Sequence, residues 1–193
     1  MEYVYHGSKT KGLKKLKKRS STHQKEWIYA TLSKAIAIIF ISNGGSDLNY
    51  DLSGSGTKES PITLTERKAG MFDDIFNLSG SLYTLSGKNF QKGKTGWSAE
   101  VVSEFEEDII AEEYIENVLE KLNELSEQGE IKLYRYPNRP DFVPSDNSDL
   151  IPKIIDWNER GFKGATEKFL QLYPELSDKL YEQMKTEESS LKR

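Results

Sequence analysis

Short runs rich in β-forming residues recur at irregular intervals along this chain, at 2–6, 26–30, 62–66, 81–86, 97–103, 108–115 and 131–136. Alternation of apolar and polar positions within them fits strands with one face buried. Between them the connections differ in length and kind, so the regular crossovers of a doubly wound parallel sheet are not expected. The pattern predicts an α+β domain.

A few segments carry helical spacing instead. Thr31 is placed to cap a helix over about 32–41, with Ala35, Ile38 and Ile39 on one face. A short helical piece is expected near 71–76. Val118, Leu119, Leu122 and Leu125 define a helix over 117–128 that stops at Gly129. Two further helices are expected over 150–158 and 165–184. The basic stretch 9–25 reads as a loop closed by Arg19, Ser20, Ser21 and Thr22, and 42–60, rich in Gly, Ser, Asn and Asp, as an exposed loop. No repeat divides the 193 residues. One domain over 1–193 is expected, with 150–193 as a C-terminal helical extension.

Charge is unevenly spread. Residues 1–40 hold nine Lys and Arg against two Asp and Glu, a net of +7, which leaves −11 for the remainder of a chain whose total is −4. A chain-wide polyanion binder is disfavoured, while a local basic face remains open. Cysteine is absent, which removes disulfides, thiolate nucleophiles and Cys-ligated metals, and two histidines make a His-rich metal site an unattractive reading. No metal is expected. Met1 to His6 lacks the pattern of a signal peptide, and the longest apolar run, Ala35 to Ile41, is far shorter than the ~20 residues of a membrane span. A soluble, cytoplasmic protein without membrane contact is therefore expected.

Several motifs fail on inspection. Asp47 to Asp51 alternates oxygen ligands like a calcium loop, but Leu52 occupies the position of the turn glycine and Lys58 that of the bidentate glutamate. Ser55-Gly56-Thr57-Lys58, Lys94-Thr95-Gly96 and Ser145-Asp146-Asn147 match the signatures of penicillin-interacting serine enzymes, in the wrong order. Neither a phosphate loop nor a dinucleotide glycine fingerprint is present.

One constellation does not fail. His6 ends the first strand-like run in Tyr5-His6-Gly7-Ser8; Tyr29 lies in Ile28-Tyr29-Ala30-Thr31 ahead of a helix; Glu100 lies in Ser98-Ala99-Glu100-Val101-Val102. In context and order this trio resembles the His-Tyr-Glu branch of the ADP-ribosyltransferase superfamily. Phe40, eleven residues beyond Tyr29, matches a second aromatic that the family often carries on the following helix. The resemblance covers roughly residues 1–103. It implies two packed, mostly antiparallel sheets forming a split β-sandwich with flanking helices.

The resemblance also implies a chemistry that suits these residue types. NAD would serve as substrate, its nicotinamide stacked between Tyr29 and Phe40 and its carboxamide held by the Gly7 backbone. His6 would hold ribose hydroxyls, Ser8 would support the amide or its turn, and the basic face around Lys14 to Arg19 would attract the pyrophosphate. Glu100 is the expected catalytic residue, its carboxylate stabilising an oxocarbenium-like ribose. The outcome would be ADP-ribosyl transfer to a protein or nucleic-acid acceptor, or hydrolysis of NAD. Ser98 stands where arginine-modifying members carry Glu or Gln, which argues against arginine as acceptor. The alternative is a non-catalytic module on the same fold that binds a nucleotide, RNA or protein.

Remaining charge clusters read structurally. The acidic runs 104–107 and 112–116 suit a solvated face. Tyr134 to Arg139 suits a strand end packed beneath the C-terminal helices better than a nucleic-acid stacking platform.

Overall fold

The computed structural model describes residues 1–20, 25–44, 46–162 and 164–191. Ser21 and Thr22, half of the turn expected to close the basic stretch, lie outside them.

The architecture is α+β, with a large antiparallel sheet, a smaller second sheet and several helices. Strands β1 (Tyr3–Ser8), β2 (Lys15–Leu16), β3 (Arg19–Ser20), β4 (Glu26–Thr31), β7 (Gly80–Ser86), β8 (Gln91–Lys92), β9 (Glu100–Ser103) and β10 (Glu107–Ile115) form the large sheet. Their order is β2-β10-β7-β1-β4-β9-β8, with β3 paired to β4. The small sheet is β11-β6-β5, from β5 (Tyr50–Ser53), β6 (Ile62–Glu66) and β11 (Ile131–Tyr134), with β11 parallel to β6.

Alternation assigns the faces. Val4, Ile28, Ala30, Leu85 and Val101 project from one face of the large sheet onto Leu16 and Phe90. From the other face Tyr5 and Leu82 meet α1 (Lys34–Ile39), α2 (Met71–Phe76) and α3 (Val118–Glu127), together with Ile62, Leu64 and Ile131 of the small sheet. A third apolar cluster gathers α4 (Leu150–Glu159), α5 (Ala165–Leu172) and α6 (Ser177–Leu191) around Leu150, Ile154, Phe169, Tyr173 and Leu180.

Four expectations about loops and helices need correction. The segment 42–60 is no uniform exposed loop: Leu48 and Tyr50 are buried, and Tyr50 opens β5, whose partner is β6. The basic stretch contains β2, which pairs with β10. The helix after Thr31 starts at Lys34 and is capped by Ser33, whose side chain accepts from Ile36 N, while Thr31 Oγ1 accepts from Ser33 N. The single helix over 165–184 is two, interrupted at Tyr173 and by the turn Pro174–Leu176. Proline there lacks the N–H that a continuing helix would need.

Charged groups at the junctions are tightly placed. Glu107, inside an expected solvated acidic run, is buried and accepts from Ser103 Oγ at 2.6 Å. Glu66, also buried, accepts from Phe72 N at the start of α2 and from Tyr136 N beyond β11. Arg135 pairs with Glu66 and Asp73, so the Tyr134–Arg139 segment is drawn into ion pairs with the α2 end of the molecule.

Candidate functional site

β1 lies at the centre of the large sheet and treats its two neighbours differently. With β7 it pairs along its whole length, from Tyr3 opposite Ser86 to Ser8 opposite Ser81. With β4 the pairing is confined to Tyr5 opposite Thr31. Past Tyr5 the two strands part, and the side chain of His6 spans the opening: its Nδ1 lies 2.8 Å from the Tyr29 carbonyl oxygen. A carbonyl only accepts, so Nδ1 carries the proton and Nε2 keeps a lone pair. Burial holds the His6 pKa below 6.5, with the Arg19 charge acting in the same direction and the bond to Tyr29 against it. The imidazole is therefore a neutral acceptor at its outer nitrogen.

That titration has a consequence for stability. A base whose folded pKa is depressed favours folding above its unfolded value, and the advantage is lost as pH falls through the folded value. His6→Asn is accordingly expected to be least stable relative to the native chain above 6.5, the gap narrowing as pH falls below it. The proton resonance that disappears in His6→Asn should titrate below 6.5 in the native chain; a midpoint above that value would contradict the buried neutral imidazole.

Around the opening lies a cleft of about 210 Å³, lined among others by His6, Ser8, Lys15, Lys17, Arg19, Trp27 and Tyr29. Trp27 and Tyr29, two apart on β4, have ring centroids 6.2 Å apart. Lys15 is paired with Glu106 and Asp108, whereas Lys17 and Arg19 form no ion pair among the described residues. The opening thus has a neutral imidazole acceptor and surplus positive charge beside it, with the Trp27 and Tyr29 rings carried on the α1 side of β4. Such a combination suits an anionic ligand with a flat ring.

The wall of this cleft is held from behind by Glu112. Its carboxylate accepts from Ser81 Oγ at 2.6 Å and Gly12 N at 2.9 Å, and these bonds hold its pKa below the usual carboxylate value. Beside it the Tyr83 hydroxyl donates to Thr10 O at 2.7 Å and accepts from Leu13 N. The 9–14 segment, otherwise a run of lysines and small residues, is pinned to β7 and β10 in this way.

Alternation divides the expected residues between the faces of the large sheet. Tyr29 and Glu100 alternate with Ile28, Ala30 and Val101 and so project toward the α1 side, as Gly7 does. Glu100 opens β9 opposite Thr31, two residues along β4 from Tyr29. His6 and Ser8 alternate with Gly7 and belong to the opposite side, joined to the first through the β1–β4 opening. Phe40 is placed elsewhere: it caps α1, is 45% exposed, and meets Trp97 edge-on at 6.0 Å. Trp97 in turn begins the turn into β9, its carbonyl accepting from Glu100 N at 3.1 Å.

Gly7 has a steric role that the motif alone does not reveal. A Cβ on it would lie 1.9 Å from the Ala37 carbonyl oxygen, so glycine is what lets α1 rest on β1. Sequence reasoning did not single out Trp27 or Glu112. The spacing of Trp27 and Tyr29 on one strand was a usable signal for the first; nothing local marks the second.

Among the described residues no group of three or more His, Asp or Glu side chains could hold a metal ion, and no helix is long and apolar enough to cross a membrane. The class defined by these observations is an α+β protein whose central strands part around a cation-lined cleft. Comparison with protein-family models, curated proteins and solved structures finds no match for the chain.

Proposed function

We propose that this protein is an ADP-ribosyltransferase-like enzyme that binds NAD at the opening between β1 and β4. The observation that carries the reading is the His6 bridge to the Tyr29 carbonyl, made where the two strands part and beside Arg19 and Lys17. It orients Nε2 as an acceptor for a ribose hydroxyl, while the two cations match the two charges of a pyrophosphate. The two-sheet arrangement with a central parting is in keeping with a split sandwich.

In this reading the nicotinamide end lies on the face that carries Tyr29 and Glu100. The bond between ribose C1′ and the nicotinamide nitrogen breaks, its electron pair leaving with neutral nicotinamide. Positive charge then develops on the ribose, and the Glu100 carboxylate stabilises it until an acceptor nucleophile adds at C1′ and releases its proton. Water in place of the acceptor gives hydrolysis. Ser8 would support the carboxamide or its turn. The exposed Phe40 would need a change in ring orientation, or a ligand reaching the Trp97 turn, to stack on nicotinamide. A protein or nucleic acid would serve as the acceptor.

The test is titration of the purified protein with NAD, followed by an assay for released nicotinamide. Glu100→Gln is expected to lower release by about 100-fold or more while leaving NAD affinity within a few-fold. Full release from Glu100→Gln would remove that residue from the chemistry. Binding by the native chain without release would favour the non-catalytic nucleotide-binding alternative.

A further inference from the structure

A second cavity, of about 590 Å³, lies between the end of α1 and the C-terminal helices. It is larger than the strand cleft and falls within the usual size of small-molecule sites. The rings of Phe40, Trp157 and Phe162 line it, with Asp47, Arg160 and Lys168.

Its charges do not cancel. Asp47 is neutralised by Lys153 at 2.6 Å, and Arg160 is bonded to Asp156 at 3.2 Å while its guanidinium lies over the Phe162 ring. Lys168 forms no ion pair among the described residues. Among the described residues one uncompensated positive charge therefore stands beside three aromatic rings. One of those rings, Phe40, is left substantially in water.

We infer that this cavity binds a flat aromatic ligand carrying a phosphate, its ring against the aromatic walls and its charge on Lys168. Aromatic faces gain from covering a flat ring, and Lys168 supplies a cation for the anionic group. The cavity shares no lining residue with the β1–β4 opening, although Phe40, considered above for stacking on nicotinamide, lines it. Because Phe40 also touches Trp97, which leads into Glu100, a ligand here bears on the same turn.

The probe is 1-naphthyl phosphate, with 1-naphthol and inorganic phosphate as comparators. Binding is followed by nuclear magnetic resonance at the Trp157 indole N–H, assigned through Trp157→Phe. The phosphate ester should move that resonance and bind about tenfold tighter than either comparator. Lys168→Glu should abolish the advantage, and Arg19→Glu, which alters the other cleft, should leave it intact. An unmoved Trp157 signal, equal binding of 1-naphthol, or sensitivity to Arg19→Glu in place of Lys168→Glu would overturn the assignment. NAD titration of Lys168→Glu reads the other cleft separately.

Discussion

Arg67→Met is expected to destabilise the protein by about 3–5 kcal/mol, although methionine replaces much of the lost volume. The Arg67 side chain is fully buried. Its guanidinium grips both oxygens of Asp149, at 3.0 and 2.7 Å, and also reaches Asn147 Oδ1 at 3.2 Å and Asp51 Oδ1 at 3.5 Å. These contacts join the end of β6 to β5 and to the turn that starts α4. Tyr173 adds to the same junction by donating to Leu48 O at 2.6 Å, and Lys68 by donating to Leu172 O. Asp149 can recover water when the guanidinium is removed, being 32% exposed, but Asp51 is more enclosed and its Oδ2 has no hydrogen-bond partner among the described residues. The cost arises chiefly from a carboxylate left in a low-dielectric site.

The pH dependence separates that cause from packing. Burial raises the Asp51 pKa above 3.8, and Arg67 and Lys153 oppose the rise. An acid whose folded pKa is raised disfavours folding when ionised, and the penalty disappears as pH falls through the folded value. Without Arg67 the rise is larger, so the deficit of Arg67→Met in urea midpoint should shrink on acidification. Adding Asp51→Asn should recover part of the loss at neutral pH. A deficit that is constant with pH and indifferent to Asp51→Asn would assign the effect to side-chain packing.

Periodicity made most of the fold legible. Ile62–Glu66 alternates cleanly and forms a strand with those bounds, and the apolar spacing from Val118 to Leu125 forms α3 between Asn117 and Gly129. The small sheet was half hidden because Leu48, Tyr50 and Leu52 are diluted by glycine, serine and asparagine; Leu52 becomes a strand residue only by pairing with Leu64. The same is true of Lys15 and Leu16, which are ordered by Asp108 and Glu107 across the sheet. Nothing local marks Glu66 and Arg67 as buried, since most of their partners, Arg135, Tyr136, Asn147 and Asp149, lie far along the chain. At the site, His6, Gly7, Tyr29 and Glu100 stood out as residue types in context. The parting of β1 from β4, and the arrival of Arg19 and Trp27 beside it, depend on strand pairing that no local pattern encodes.

Gly7→Ala is expected to cost about 3 kcal/mol or more, beyond the range of an ordinary overpacked core position. The added methyl would lie 1.9 Å from the Ala37 carbonyl oxygen and 2.8 Å from Ile41 Cγ1. A side chain could swing aside; a helix carbonyl cannot, so α1 as a body must lift from β1. Gly80, on β7, makes a second such close approach, since a Cβ there would lie 2.2 Å from Ile41 Cγ2 and 2.7 Å from the Ser8 carbonyl oxygen. Helix α1 is short, follows the end of β4 after two intervening residues and ends at Phe40, so its displacement also disturbs the face that carries Tyr29 and Glu100. Urea unfolding and NAD titration of Gly7→Ala should therefore show stability and ligand affinity falling together. Loss of NAD affinity at unchanged stability would instead mean that Gly7 acts through its backbone on the ligand, and an unchanged midpoint with unchanged affinity would mean that α1 does not depend on this glycine for its seat.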